Sequence, residues 1–418
     1  MTQLESSMTT YSQLSLTNEE RRVHIYYGGD DPTVPSSVMP ETPLEKLNLN
    51  WREKDLPERE RTKHVHRLHP YLGKFIPQLV EIFLRKYFQP GQTVLDPFSG
   101  SGTTLVQANE LGVNAIGYDI SAFNVLLAKA KTQHYDLRNV RREITDILEK
   151  TKRATQTDAY QLPLWGVAEK QKRYKKNDYL DSWFATKAKQ ELLTYRNFIE
   201  NYEDQDILRI ILSRSARSAR LTTHFDLDFP KSPTTEPYWC YKHSRTCTPT
   251  DTAFQFIQRY SLDTMKRLEE FSLKRTNATV SIFHADSRTA DIPPIHGLIT
   301  SPPYVGLIDY HEQHRYAYEL LGLEDLRAFE IGAAEQGLSK KAQSEYQQSI
   351  AQVFTNACAS MPTGGYMIVV AGDKHELYEG IAKLCGVREE AVLQRHVNRR
   401  TGRRSSEFYE SIFIWRKP

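Results

Sequence analysis

The run Thr93-Val94-Leu95-Asp96-Pro97-Phe98-Ser99-Gly100-Ser101-Gly102-Thr103-Thr104 limits what this chain can fold into more than any other segment. A short apolar strand leads into a Gly-rich turn, and Leu105 to Leu111 follow at helical spacing, so the segment predicts strand, tight turn, helix. Gly100 and Gly102 let a ligand approach the backbone closely, and the helix start behind them offers unpaired N–H groups with a favourable dipole. A second strand, Asn114 to Tyr118, ends in Asp119, and Ser121 is placed to cap a helix running to Lys131. Strand, helix, strand is the order a doubly wound parallel sheet requires. An acid closing the second strand suits the two hydroxyls of a ribose, so this half reads as a nucleoside site. Upstream, Leu79, Ile82, Phe83 and Tyr87 recur at helical spacing between Pro77 and Phe88.

A second chemical run lies about two hundred residues on, where the apolar stretch Ile295 to Ile299 enters Thr300-Ser301-Pro302-Pro303-Tyr304. Consecutive prolines hold φ at about −65° and remove two N–H donors, which leaves backbone carbonyls at the strand end as acceptors. With the Ser301 hydroxyl, the Pro302 carbonyl and the flat face of Tyr304, the loop suits a planar amino-heterocycle held by its NH2 group. A nucleobase turned out of a duplex meets that description.

Together, the Asp-Pro-Phe-Ser-Gly-Ser-Gly-Thr-Thr and Ser-Pro-Pro-Tyr runs resemble motifs I and IV of the S-adenosylmethionine-dependent DNA amino-methyltransferases, which methylate N4 of cytosine or N6 of adenine. His69-Pro70-Tyr71-Leu72-Gly73-Lys74-Phe75 is similar to their motif X, and His284-Ala285-Asp286-Ser287-Arg288 to motif III. The likeness covers about residues 65–135 and 279–418. It implies a Rossmann-like α/β fold with a doubly wound, mostly parallel sheet, and S-adenosyl-L-methionine as cofactor. On this likeness the cofactor residues are Lys74, Asp96, Pro97, Phe98, Ser99, Gly100, Gly102, Thr103, Asp119, Ile120, Asp286 and Ser287, and the catalytic residues are Ser301, Pro302, Pro303 and Tyr304. In the family, Ser-Pro-Pro-Tyr goes mostly with cytosine N4, and Asp or Asn in its first position with adenine N6. Cytosine N4 is therefore favoured, with adenine N6 as the alternative; Asp309 is a further carboxylate near the loop. The likeness also implies duplex DNA as partner and a separately encoded restriction endonuclease as companion.

Between Leu137 and Ala278 the strand and helix order stops, and a large, mainly helical insertion is predicted, with helices over Val140 to Lys152, Trp183 to Tyr202 and Ile207 to Leu221. The insertion holds 26 Lys and Arg against 19 Asp and Glu, in a chain whose net charge is +3. This is where target recognition is expected, although the insertion precedes the motif III strand rather than separating motifs III and IV. Arg214, Arg217 and Arg220, three residues apart, are candidate phosphate contacts along one helix face. Arg399, Arg400, Arg403 and Arg404 form a second candidate group around Gly402. The chain thus divides into a loose N-terminal arm (1–45), a cofactor-binding half (46–136), an inserted recognition domain (137–278) and an amine-methylation half (279–418).

Tyr238 to Cys247 brings Cys240, His243 and Cys247 close in sequence, with His224 as the candidate fourth member of a zinc set. Cys-x2-His-x3-Cys is no standard pair of knuckles, so the segment is read as a compact aromatic and basic loop and no metal is assigned. None of the four cysteines follows a proline, which argues against the covalent cysteine route to C5-methylcytosine. The N-terminus lacks a charged-then-apolar leader pattern, no apolar run reaches membrane-spanning length, and the expectation is a cytoplasmic protein. Two other classes stay open: a cofactor-fold binding module without catalysis, and a methyltransferase acting on RNA or on a glutamine amide.

Overall fold

In the computed structural model, residues 24–26, 31–156, 178–224, 226–227, 230–306, 308–397 and 408–418 are described. Their strands are β1 (His24–Tyr26), β2 (Thr93–Asp96), β3 (Asn114–Asp119), β4 (Tyr238–Cys240), β5 (Arg245–Cys247), β6 (Val280–His284), β7 (Gly297–Thr300), β8 (Tyr366–Ala371), β9 (Arg388–Val397) and β10 (Phe408–Arg416). Eight of these form one sheet in the order β1-β9-β10-β8-β7-β2-β3-β6, and β4 and β5 form a separate hairpin. All neighbours in the large sheet are parallel except β10, which runs antiparallel to both β8 and β9. Because β10 returns directly from β9, it pairs with it antiparallel and fills the gap beside β8. This is the Rossmann-like methyltransferase sheet, doubly wound and mostly parallel.

Alternation along the central strands explains why both faces are covered. Val94, Ile299, Ile368, Val370, Ile412 and Ile414 face one core with the helix Pro77–Tyr87. Their neighbours Leu95, Leu298, Met367, Val369, Phe413 and Trp415 face the other, under the helix Lys340–Ala359. Strands apolar on both faces are stable only between two helical layers. The helix Ala122–Thr132 begins as expected, with the Ser121 hydroxyl accepting the Asn124 N–H at 3.3 Å.

The insertion is mainly helical: Leu137–Gln156, Thr186–Phe198 and Gln205–Ala219 match the three predicted stretches, while Asp178–Trp183 and Phe254–Ser272 were not anticipated. It does not keep a core to itself, however. Ile144, Leu192, Ile211 and Leu268 pack with Phe123, Leu127 and Tyr316 of the catalytic half in one continuous apolar cluster. The division at residue 137 is thus a boundary in sequence pattern and not in packing. Buried carboxylates secure the layer: Glu191 accepts the Ala253 and Phe254 N–H groups at 2.6 and 2.9 Å and so caps the helix Phe254–Ser272.

The expected loose arm needs a correction as well. In its described part, residues 24–26 pair in parallel with β9, and Val38 is buried and Leu44 half-buried beside the helix Pro77–Tyr87. Lys86 Nζ donates to the Pro40 and Thr42 carbonyls at 3.1 and 2.6 Å, which fixes the path of the segment. Burial of these aliphatic side chains offsets the polar composition that suggested a tail. Among the described residues no helix is long and apolar enough to cross a membrane.

Candidate functional site

The strands β2, β3, β6 and β7 lie side by side in parallel, so their C-terminal ends Asp96, Asp119, His284 and Thr300 share one sheet edge. A cleft lies there, with about 830 Å³ of space when the open solvent at its mouth is included. Lys74, Pro97, Phe98, Ser99, Gly100, Thr103, Asp119, Ile120, Asp286, Ser287, Ser301 and Pro303 all line it. Four of these runs meet around this one space because parallel strands end together, and Lys74 joins them from the segment ahead of the helix Pro77–Tyr87.

Polar contacts set the shape of the cleft. Asp119 accepts the N–H groups of Gly100 and Ser121, each at 2.8 Å, and the Asn124 amide at 3.1 Å. Burial pushes its carboxyl upward, against those hydrogen bonds. Ser287 Oγ donates to the Pro97 carbonyl at 2.6 Å and joins two of the loops. Arg288 grips Asp286 in a two-pronged pair, Nε to Oδ1 at 2.9 Å and Nη2 to Oδ2 at 2.6 Å. Burial alone would raise the Asp286 carboxyl, yet the guanidinium prevails and holds it below the ordinary carboxylate range. Lys74 Nζ donates to the His66 carbonyl at 2.8 Å, and desolvation, aided by nearby Arg67, lowers its pKa to about 8.

Two residues assigned to cofactor contact have other surroundings. Asp96 is fully buried and does not line the cleft; its Oδ1 accepts the Thr300 hydroxyl at 2.6 Å and the Phe98 N–H at 3.2 Å. It therefore braces β2 against β7, while Oδ2 lacks a partner and burial raises the carboxyl to about 6. Gly102, at φ +76°, is also outside the lining; a Cβ there would stand 2.9 Å from the Ala128 Cβ. Its small size serves the packing of two helices. Gly100, at φ +48°, does line the cleft, and a Cβ on it would meet the Tyr71 hydroxyl at 3.1 Å.

The Ser-Pro-Pro-Tyr loop is held from several sides. The Tyr304 hydroxyl donates to Glu410 Oε1 at 2.9 Å, and Glu410 Oε2 accepts Arg395 Nη1 at 3.1 Å. Burial, then the Glu410 charge, raise the Tyr304 phenol well above its ordinary value, so it stays protonated. The Pro303 carbonyl accepts the Tyr346 hydroxyl at 2.9 Å, while Ser301 opens into the cleft. Pro302 and Tyr304 sit behind the lining. Asp309 Oδ1 accepts the Glu312 N–H at 2.9 Å and caps the short helix Tyr310–Gln313.

Tyr71 of the motif X run and Tyr310 stack with ring centres 5.7 Å apart, and Phe329, Glu330 and Ile331 close a part of the wall that sequence reasoning missed. Glu330 accepts the His311 N–H at 3.0 Å and is also paired with the His311 ring. No motif marks 329–331; the Gly306 N–H to Gly332 carbonyl bond, 2.9 Å, brings that loop back to motif IV. Gly73, at φ +76° and with Ile308 Cδ1 2.9 Å from a Cβ placed on it, was the available signal that motifs X and IV touch.

The arginine face reads differently in three dimensions. Arg214 pairs with Asp263 at 2.6 Å and lies 4.2 Å over the Tyr260 ring. Arg220 is only 4% exposed, donates to the Leu227 carbonyl at 2.6 Å and stacks 4.6 Å over Tyr316. Both guanidinium groups are engaged inside the fold, where helix packing supplies closer partners than solvent does; Arg217 is partly buried on the same helix. Arg399, Arg400, Arg403 and Arg404, like the basic run Lys170 to Lys176, lie outside the described residues. A second cleft, lined by Trp183, Lys231, Asp309 and Arg315 among others, separates the insertion from the loop that follows motif IV.

Fold and cleft together define a methyltransferase built on a parallel sheet. The DNA methylase family matches over residues 11–130, and a methyltransferase domain family over 88–175. The chain is 39% identical to the type II methyltransferase M.MjaII of Methanocaldococcus jannaschii, over 86% of this chain and 81% of that protein. It is 26% identical to M.MvaI of Kocuria varians over 37% and 34% of the two chains, and 20% identical to M.BsoBI of Geobacillus stearothermophilus over 69% and 58%. The chain belongs to the type II DNA methyltransferases of restriction-modification systems, and its cofactor is S-adenosylmethionine.

Proposed function

We propose that this protein methylates the exocyclic N4 of cytosine in duplex DNA at a specific site, and so protects host DNA from a separately encoded endonuclease. The observation that carries the choice of base is the acceptor set of the motif IV loop. Ser301 opens into the cleft with a neutral hydroxyl, while the nearby carboxylate of Asp309 is engaged as a helix cap.

The cleft suits the cofactor: a glycine at positive φ allows close approach at residue 100, Asp119 stands where ribose hydroxyls need an acceptor, and Lys74 is a cation for a carboxylate. When bound, S-adenosylmethionine supplies a methyl group activated by its sulfonium. Ser301 Oγ and the Pro302 carbonyl accept the two amine protons and draw the nitrogen lone pair out of conjugation with the ring. Lys74, Gly100 and Asp119 would hold the cofactor for transfer of its sulfonium methyl to the amine nitrogen, and the surplus amine proton would pass to solvent. Tyr304, held by Glu410, fixes the height of the loop against the sheet. For DNA contact we favour the basic segment that links β9 and β10 in sequence. Its flanking residues Val397 and Phe408 lie at the sheet edge that carries Asp96 and Thr300, because β9 runs in the sense of β8 and β7.

The test is mass spectrometry of nucleosides from plasmid DNA treated with the protein and labelled S-adenosylmethionine, beside a Ser301→Ala control. Labelled N4-methylcytosine absent from the control is the expected result. Labelled N6-methyladenine would overturn the choice of base, and label found only in RNA would overturn the choice of polymer.

A further inference from the structure

The hairpin β4–β5 has almost no apolar support. Trp239 and Tyr241 are 54% and 77% exposed, and a lone two-stranded hairpin is at best marginally stable in water. Yet its two cysteines are buried and meet two imidazoles. The ligand atoms of His224, Cys240, His243 and Cys247 all lie within 4.8 Å of one another. His243 Nδ1 stands 3.6 Å from Cys240 Sγ and 3.5 Å from Cys247 Sγ, and His224 Nδ1 stands 3.4 Å from Cys240 Sγ.

Those separations match the edges of a coordination tetrahedron. Zinc–sulfur and zinc–nitrogen bonds of about 2.3 and 2.05 Å at tetrahedral angles put sulfur and nitrogen roughly 3.5 Å apart. The two imidazole planes are nearly perpendicular, at 74°, with centres 4.7 Å apart, as two rings converging on one point from different directions would be. Register explains the convergence: antiparallel pairing sets Cys240 opposite Arg245 and Tyr238 opposite Cys247, so both thiols fall on one face of the hairpin. Ser244, at φ +51°, turns the chain so that His243 folds back over them. His224 arrives from the preceding loop, where its N–H donates to the Tyr238 hydroxyl at 3.1 Å. That hydroxyl also lies 3.0 Å from His224 Nδ1 and is the neighbour a metal would displace from the ring nitrogen.

We propose that His224, Cys240, His243 and Cys247 bind one structural Zn2+ that holds the β4–β5 hairpin of the insertion in place. Binding releases the two thiol protons, and two thiolates with two neutral imidazoles balance the charge of the ion. A closed set of four protein ligands leaves no open position, so the site is structural and separate from methyl transfer. The ion would fix the exposed pair Trp239 and Tyr241, together with Lys242 and Arg245, in one orientation.

The test uses the full chain without a polyhistidine tag, purified under reducing conditions, with metal content measured by plasma mass spectrometry. About one zinc per chain is expected, falling below about a tenth in the Cys240→Ser, Cys247→Ser double variant and unchanged in Cys358→Ser, Cys385→Ser. Should the double variant not fold, cobalt exchanged into the native chain decides the matter. Tetrahedral d–d bands with a sulfur-to-cobalt charge-transfer band support the site, and an octahedral spectrum overturns it. The proposal also fails if the native chain loses every competition for zinc against a chromogenic chelator, if the double variant keeps its zinc, or if the freshly isolated chain carries a Cys240–Cys247 disulfide in place of metal.

Discussion

The cofactor cleft and the helical insertion are built by opposite rules. In the cleft, most of the groups anticipated from sequence sit within a few residues of a strand end, and four parallel strands deliver those ends to one edge. In the insertion, the charged and metal-ligating groups depend on which helix packs where. Arg214 and Arg220, six residues apart in the sequence pattern, became internal partners, and His224 reaches Cys240 across sixteen residues. The lesson is that periodicity locates a helix face but does not say what covers it.

Four measurements break or sharpen this contrast. The largest effect is expected in the cleft: Ser301→Ala should lower kcat about a hundredfold, since one of two acceptors for the reacting amine is lost. Cofactor affinity by calorimetry should stay within about twofold. A parallel loss of cofactor binding would mean that Ser301 shapes the pocket instead of serving the amine.

Asp96 tests whether the strut between β2 and β7 is structural. Its carboxyl is raised from 3.8 to about 6, so the folded chain holds this proton more tightly than the unfolded chain. Stability from this group is present at low pH and lost as pH rises from about 4 through 6. Asp96→Asn removes that dependence, so its stability relative to the parent should improve by about 2 kcal/mol between pH 4 and pH 7 in denaturant melts. A flat difference across that range would show that Asp96 does not carry the buried charge.

Arg214 tests the insertion. Replacing it with Ala leaves Asp263 partly buried beside Tyr260, and a loss of roughly 2 kcal/mol is expected in thermal or urea unfolding. DNA affinity should change by less than about threefold at fixed salt. A tenfold drop in affinity with unchanged stability would restore the arginine face as a phosphate track and break the comparison. The smallest effect concerns Lys74, whose ammonium loses its proton near pH 8 because burial disfavours the charge. Cofactor affinity should weaken up to about tenfold from pH 7 to pH 9, and Lys74→Met should bind weakly with a flat profile.

Much of the site was legible because its motifs are contiguous. Asp119, Asp286, Ser287 and Ser301 line the cleft where strand-end reasoning put them. The residues set back from the cleft share one cause. Asp96 and Gly102 belong to the same run as the cleft residues but point into the packed interior, one toward Thr300 and the other toward Ala128. Pro302 and Tyr304 sit one layer back, and Tyr304 gains a tether to Glu410, more than a hundred residues away. Phe329 to Ile331 carry no motif and are brought in by a backbone bond between two glycines and by the hold of Glu330 on His311.

The amino-acid sequence by itself determined the doubly wound sheet, the strand ends that carry its chemistry and the helical character of much of the segment between Leu137 and Ala278. Each follows from local rules: hydrophobic period, glycine and proline dihedrals, and the sharing of one edge by parallel strand ends. Only the tertiary structure decided that residues 31–45 are packed, that Arg214 and Arg220 face inward, and that two thiols and two imidazoles converge. These depend on contacts between segments far apart in the chain, whose free energies come from burial and from partners that spacing along one segment cannot reveal.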